Sequence, residues 1–131
     1  SGIGTGGTIT GIGEALKEAN PNITIWAVEP ENAAILAGGN VGTHIQMGIG
    51  DGVVPKVLNQ HIYEDITIIS DEEALNTSKD LARLEGLMCG ISSGTNVAAA
   101  LKLAKKLGAG KTVVTLLPDT AERYFSTPLF G

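Results

Sequence analysis

The chain reads as an α/β domain in three layers, a mostly parallel sheet with helices on both faces. Three observations predict this: β-branched apolar runs of strand length, amphipathic stretches of helical length between them, and glycine- or serine-rich turns where strand gives way to helix. The first eight residues, Ser1-Gly2-Ile3-Gly4-Thr5-Gly6-Gly7-Thr8, stand directly before a helix expected over residues 9–19. Glycine lets backbone N–H groups converge on a ligand, and the helix adds unpaired amides and the positive end of its dipole. Such a loop suits a phosphate or a carboxylate; a tight turn that serves only helix packing has the same composition. Because the loop opens the chain, the strand that leads into it is expected upstream of Ser1, and the 131 residues read as part of a longer protein.

The remaining elements follow in order. Asn20-Pro21-Asn22 breaks the first helix, and residues 23–30 form a buried parallel strand closed by Pro30. Residues 32–60 are glycine-rich and weakly periodic, and a connection of that length is uncommon unless functional. Residues 65–70 form a second strand. Ser70 with Glu73 three positions on is a capping box, so a helix is expected over 71–85, ended by Gly86. After an apolar segment at 87–89, Gly90-Ile91-Ser92-Ser93-Gly94-Thr95 reads as a turn into a helix that ends at Leu107, before Gly108. Residues 111–117 read as a third strand. Pro118-Asp119-Thr120-Ala121-Glu122 then turns into a short helical piece at 123–126. Ligands bind at the carboxyl ends of strands in such sheets, so the turns at 4–8, 90–94 and 118–122 are expected to line one surface.

Composition narrows the function classes. The formal charge is −5, with no basic stripe to neutralise phosphates, which argues against nucleic acid. Lys102, Lys105, Lys106 and Lys111 cluster near one helix end and read as a solvated face. Cys89 is the single cysteine, in an apolar run, and reads as a buried structural thiol in a reducing, cytoplasmic setting. No apolar run approaches a membrane span. His44 and His61 do not suggest a metal pair, and no metal site is expected.

Taken singly, the motifs stay open. Gly2-x-Gly4-x-x-Gly7 satisfies a dinucleotide spacing, with Glu29 the nearest candidate for a ribose-binding acid, while the missing Gly-Lys-Ser/Thr excludes a P-loop. Ser92 and Ser93 suit helix capping, or a hydroxyl aimed at a ligand ring nitrogen. Asp119 and Thr120 suit a turn.

In combination they are more specific. Gly4-Thr5-Gly6-Gly7-Thr8, Ala27-Val28-Glu29-Pro30, His44-Ile45-Gln46 with Gly48-Ile49-Gly50, Ser70-Asp71-Glu72-Glu73-Ala74, Gly90-Ile91-Ser92-Ser93-Gly94 and Pro118-Asp119-Thr120 with Glu122-Arg123-Tyr124 follow one another in register. Their order resembles the cysteine synthase (O-acetylserine sulfhydrylase) family, pyridoxal-phosphate enzymes of fold type II, along essentially the whole chain. The resemblance implies that Gly4, Thr5, Gly6, Gly7 and Thr8 hold the cofactor phosphate, that Ser92 hydrogen-bonds the pyridine nitrogen, and that Pro118 and Asp119 lie beside the ring. It places Gly48, Ile49 and Gly50 on the substrate side, in a segment that moves as the site closes.

The implied reaction is β-replacement, in which acetate leaves O-acetylserine and sulfide takes its place to give cysteine. Cystathionine β-synthase shares the phosphate loop and serine turn, and a non-catalytic module that docks the carboxyl-terminal tail of serine acetyltransferase is a further alternative. A homo-oligomer is also implied. Ala121 departs from the glycine usual at its position. The family's Schiff-base lysine and substrate-carboxylate loop lie upstream of the matching region, and none of the seven lysines stands in that context. No catalytic residue is therefore expected within these residues.

Overall fold

The computed structural model describes residues 1–131. In chain order they form α1 (Gly7–Ala19), β1 (Trp26–Pro30), a 3-10 turn (Glu31–Ala33), β2 (Asp65–Ile69), α2 (Asp71–Glu85), α3 (Ile91–Leu107) and a second 3-10 turn (Ala121–Tyr124). β1 and β2 pair in parallel, with Trp26 opposite Asp65 and Pro30 opposite Ile69. Residues 1–3 run alongside the other edge of β1: Gly2 bridges Val28 in parallel, Val28 N donates to Ser1 O at 2.9 Å, and Ile3 N donates to Val28 O at 3.3 Å.

Successive strand residues point to opposite faces, and two cores result. Ala27 packs with Ile3, Ile9, Leu58 and Ile62 on the α1 side. Its neighbour Val28 packs with Ile69, Ala74, Ile91, Ala98 and Tyr124 on the α2 and α3 side. The expected layering, helix–sheet–helix, is observed.

The second helix forms as the sequence predicts. Ser70 Oγ accepts from Glu73 N at 3.1 Å and Glu73 Oε2 accepts from Ser70 N at 3.1 Å, completing the capping box. At its end Gly86 N donates to Ala82 O and Leu87 N to Leu81 O, closing the helix with Gly86 left-handed.

Several boundaries differ from expectation: α1 begins at Gly7 and not at residue 9, and the last helical piece spans Ala121–Tyr124 and not 123–126. The first strand begins at Trp26 rather than residue 23, because the chain reaches the register of β2 only there. α3 begins at Ile91, so the serine-rich stretch read as a turn is the helix's first turn, and Gly90 rather than Ser92 or Ser93 is its N-cap. The third strand does not form. Residues 111–117 make no backbone–backbone hydrogen bond. β-branched residues favour a pleated backbone, but a strand needs a ladder. Here a side chain occupies the ladder's place: Asn96 Oδ1 accepts from Gly2 N at 2.8 Å, and Asn96 Nδ2 donates to Leu116 O at 3.1 Å.

The lysine cluster is also more engaged than a purely solvated face. Lys102 Nζ lies 2.7 Å from Glu73 Oε1, and Lys106 Nζ stands 5.1 Å from the centre of the Trp26 ring.

Ser70→Ala should lower the unfolding free energy by about 1 kcal/mol, read as a shifted urea midpoint at constant slope. The hydrogen bond from Lys102 holds the Glu73 carboxyl below its ordinary value of 4.5, with burial opposing it. A depressed acid stabilises the fold above its unfolded pKa and loses that contribution as pH falls. Lys102→Ala should therefore flatten the loss of stability below about pH 4.5, an effect that weakens in high salt.

Candidate functional site

The loop before α1 is shaped by two close approaches. A Cβ on Gly4 would stand 2.3 Å from Gly48 O, so no side chain fits there. Gly6, the N-cap of α1, has φ +83°, and a Cβ on it would meet Leu58 Cβ at 2.7 Å. With Gly6 at the cap, α1 receives no side-chain cap, and its first turn carries no acid. Thr5 Oγ1 accepts from Gly7 N at 3.3 Å, and the Thr5 and Thr8 side chains are exposed. First-turn helix amides beside two threonine hydroxyls are groups that can hold an anion without a lysine.

The first turn of α3 holds the serine-rich stretch. Ile91 to Asn96 are all buried, and Ser92 is 3% exposed. Gly90 caps the helix without a side-chain bond, and the first turn holds no acid. Ser93 Oγ is buried without a hydrogen-bond partner. One turn on, Asn96 reaches Gly2 N, which links this helix directly to the residues leading into the glycine-rich loop.

The segment 118–120 packs against the same helix start. Gly90 N donates to Asp119 O at 3.1 Å, Cys89 bridges Thr120, and Ala121 N donates to Met88 O at 3.1 Å. A Cβ on Gly90 would stand 1.9 Å from Asp119 Oδ1, so the absence of a side chain lets the carboxylate lie flat on the helix cap. Tyr124 donates its hydroxyl to Asp119 Oδ2, whereas Asp119 Oδ1 is buried without a partner. Burial and the Asp119 carboxylate push the Tyr124 hydroxyl up to about 12.

Gly48, Ile49 and Gly50 lie over residues 2–4. Gly50 N donates to Ile3 O at 3.0 Å, and the Ile49 side chain fills the space beside Gly2. Behind them stands a buried polar chain that the sequence did not assign. His44 Nε2 is 2.9 Å from Gly50 O, and Gln46 N donates to His44 Nδ1 at 3.0 Å. Gln46, 0% exposed, donates through Nε2 to Ile69 O and Asp71 Oδ1, and its Oε1 accepts from Thr95 Oγ1 at 2.9 Å. These contacts join Gly2 and residues 119–121 to the start of α3, and the 48–50 segment to residues 2–4.

Two sequence candidates take structural places. Glu29, 4% exposed, accepts from Leu36 N at 3.1 Å and Ala37 N at 3.0 Å, so its carboxylate anchors the following connection and is not free for a ribose. Burial raises its pKa, with those amides opposing. Cys89 is buried at 5% exposure, and burial pushes its thiol up, with the Ser78 hydroxyl foremost among the groups pulling the other way. His61 is exposed, away from these contacts.

Gly6→Ala should destabilise the protein by about 1–3 kcal/mol, since alanine pays for the left-handed backbone as well as the contact with Leu58. Tyr124→Phe removes the side-chain donor of a partly buried carboxylate and should cost about 1–3 kcal/mol. Thermal or urea unfolding reads both.

The family model described as pyridoxal-phosphate dependent enzyme matches residues 1–119. A cysteine synthase of Staphylococcus aureus strain Mu50 is 48% identical over all 131 residues, which span 42% of that relative's length. The crystal structure of an O-ureido-L-serine synthase superposes with a TM-score of 0.95 at 42% identity, over 99% of this chain and 41% of that one. An O-acetylserine dependent cystathionine beta-synthase from Helicobacter pylori superposes with a TM-score of 0.93 at 42% identity, over 98% of this chain and 42% of its own. Built on these shared elements and matched over nearly its whole length, the chain belongs to the family of pyridoxal-phosphate dependent enzymes.

Proposed function

We propose that this chain is the carboxyl-terminal part of a cysteine synthase, which converts O-acetylserine and sulfide to cysteine and acetate by β-replacement. The observation that carries the reading is the start of α1, where first-turn amides without a side-chain cap stand beside two exposed threonines and a glycine that admits no Cβ. The 48% identity to a cysteine synthase over the full chain supports the same choice of reaction. The donor set fits the cofactor: bare amides with the Thr5 and Thr8 hydroxyls suit a phosphate dianion, and a cradle in which Gly4 admits no Cβ leaves the backbone close to it.

In this reading Gly4, Thr5, Gly6, Gly7 and Thr8 bind the phosphate. Ser92 offers a neutral hydroxyl to the pyridine nitrogen, and Pro118 and Asp119 close the site beside the ring. Gly48, Ile49 and Gly50 face the substrate. When bound, pyridoxal phosphate supplies the electron sink for breaking the bond between the substrate's β-carbon and its leaving group. A serine hydroxyl at the ring nitrogen holds orientation without adding charge, which favours elimination and replacement over chemistry that needs a strongly stabilised carbanion. The site takes small-molecule substrates, works in the cytoplasm within a homo-oligomer, and offers part of a docking surface to a serine acetyltransferase tail. No helix is long and apolar enough to cross a membrane.

The resemblance to the Helicobacter pylori enzyme favours one second reading, a cystathionine β-synthase. Supplying O-acetylserine with sulfide or with homocysteine separates the two by product.

In the protein that carries this chain together with its upstream region, Ser92→Ala should lower turnover at least about tenfold with little change in melting temperature. Thr5→Ala and Thr8→Ala should chiefly weaken retention of pyridoxal phosphate on dialysis. A Schiff base needs a desolvated lysine. Here Lys17 pairs with Glu64, Lys102 with Glu73, and Lys56, Lys79, Lys105, Lys106 and Lys111 are exposed. The 131 residues alone, treated with the cofactor and borohydride, should show no stoichiometric pyridoxyl-lysine by mass spectrometry and produce no cysteine.

A further inference from the structure

Gly50 is held from both sides. Its N–H donates to Ile3 O at 3.0 Å, next to the anion loop, and its carbonyl faces His44 Nε2 at 2.9 Å. The hydrogen-bond pattern fixes the imidazole tautomer. Gln46 N–H donates to Nδ1, so Nδ1 is the bare nitrogen and Nε2 carries the hydrogen given to Gly50 O. Gln46 in turn has no freedom: its amide is fully buried and bonded at both ends, to Ile69 O and Asp71 through Nε2 and to Thr95 through Oε1. Thr95 is three residues after Ser92 on the same face of α3; its single hydroxyl hydrogen goes to Gln46 Oε1 at 2.9 Å, with Ile91 O the more distant alternative acceptor at 3.3 Å.

We propose that His44, Gln46 and Thr95 form a positioning relay that fixes the distance between the Ser92 turn of α3 and the Gly48–Gly50 segment lying over the anion loop. The two halves of the site arise far apart in sequence, and no backbone ladder joins segment 48–50 to α3. The relay supplies that join through three side chains. Because Gln46 is bonded at both ends of its amide, it cannot follow the glycine segment outward without leaving a buried donor or acceptor unpaired. His44 is therefore the strut that bears on Gly50, Gln46 is the fixed anchor, and Thr95 ties the anchor to the helix that carries Ser92. None of the three is a catalytic residue in this scheme. Their part in catalysis rests on the proposed function, whereas their mechanical role does not.

The test uses side-chain geometry to separate the strut's two contacts, in the protein carrying its upstream region. In His44→Asn the shorter amide still accepts from Gln46 N–H but does not reach Gly50. In His44→Gln the longer amide keeps a donor where Nε2 stood. Amide hydrogen exchange at Gly50 is the primary readout and needs no cofactor. His44→Asn should speed it by about tenfold, the scale of one lost hydrogen bond, and His44→Gln should restore it to within about threefold of the unaltered protein. Pyridoxal phosphate affinity, followed by cofactor absorbance, should fall and recover in the same order.

Thr95→Val keeps the side chain's shape and touches neither His44 nor Gly50, yet should speed Gly50 exchange in the same direction. Equal Gly50 exchange in all three variants overturns the relay. A uniform drop in melting temperature, with Gly50 exchange rising no more than at distant amides, overturns it too, since that is a merely structural role. Should His44→Asn fail to fold, the Thr95→Val result decides alone. If the exchange pattern holds while the unaltered protein makes no cysteine, the relay stands and the proposed function fails.

Discussion

Burial of the first turn of α3 is the constraint on which the rest of the site depends. Ile91, Ser93 and Thr95 are each 0% exposed, and Ser92 and Asn96 are 3% exposed, so this turn brings hydroxyls and an amide into the interior instead of leaving them to water. A buried polar group without a partner is costly, which obliges the surroundings to meet it. Thr95 is met by Gln46, and Asn96 by Gly2 and Leu116. Each partner belongs to a different segment: the long connection, the strand before the anion loop, and the extended chain at 111–117. The order of the interior follows from where these polar groups find relief.

The same requirement explains the long connection between β1 and β2. Apart from one 3-10 turn it contains no regular element, yet side chains hold it throughout. Glu29 fixes its start through two backbone amides, Asp71 accepts from Ile45 N at 3.2 Å, and Leu58 and Ile62 are buried under α1. A segment held by side chain to backbone bonds needs no periodic pattern. Its place is set by these contacts and not by a repeating ladder.

The legible parts of the fold were those specified by local chemistry. Ser70 and Glu73 announce α2 within four residues, Gly86 announces its end, and the β-branched run at 66–69 announces β2. The start of α3 was obscure because glycine and serine are turn residues by propensity; only burial against α2 and residues 118–121 makes that stretch helical. Residues 111–117 misled for the opposite reason. Their β-branched composition is real, but the pairing that would make them a strand depends on a neighbour, and Asn96 stands in its place. Within the proposed site, the glycine-rich loop and the serine-rich turn are legible as motifs because each is contiguous. His44 and Gln46 were visible only as part of a family pattern. What they do is set by contacts with Gly50, Asp71 and Thr95 that no local window contains.

The extended segment at 111–117 has a consequence for handling the protein. Thr112, Val113, Val114, Thr115, Leu116 and Leu117 are six uncharged residues of high β-propensity, and Val114 is 83% exposed. Their backbone groups make no ladder, apart from the one carbonyl that Asn96 satisfies. Such a segment is a template for cross-β stacking between copies. Its flanks carry the natural counter-measure, a charge at Lys111 and a proline at Pro118, residues that act as gatekeepers against templated growth. Lys111 and Pro118 therefore guard colloidal behaviour, and neutralising Lys111 removes a barrier to fibril formation at a position outside the proposed site.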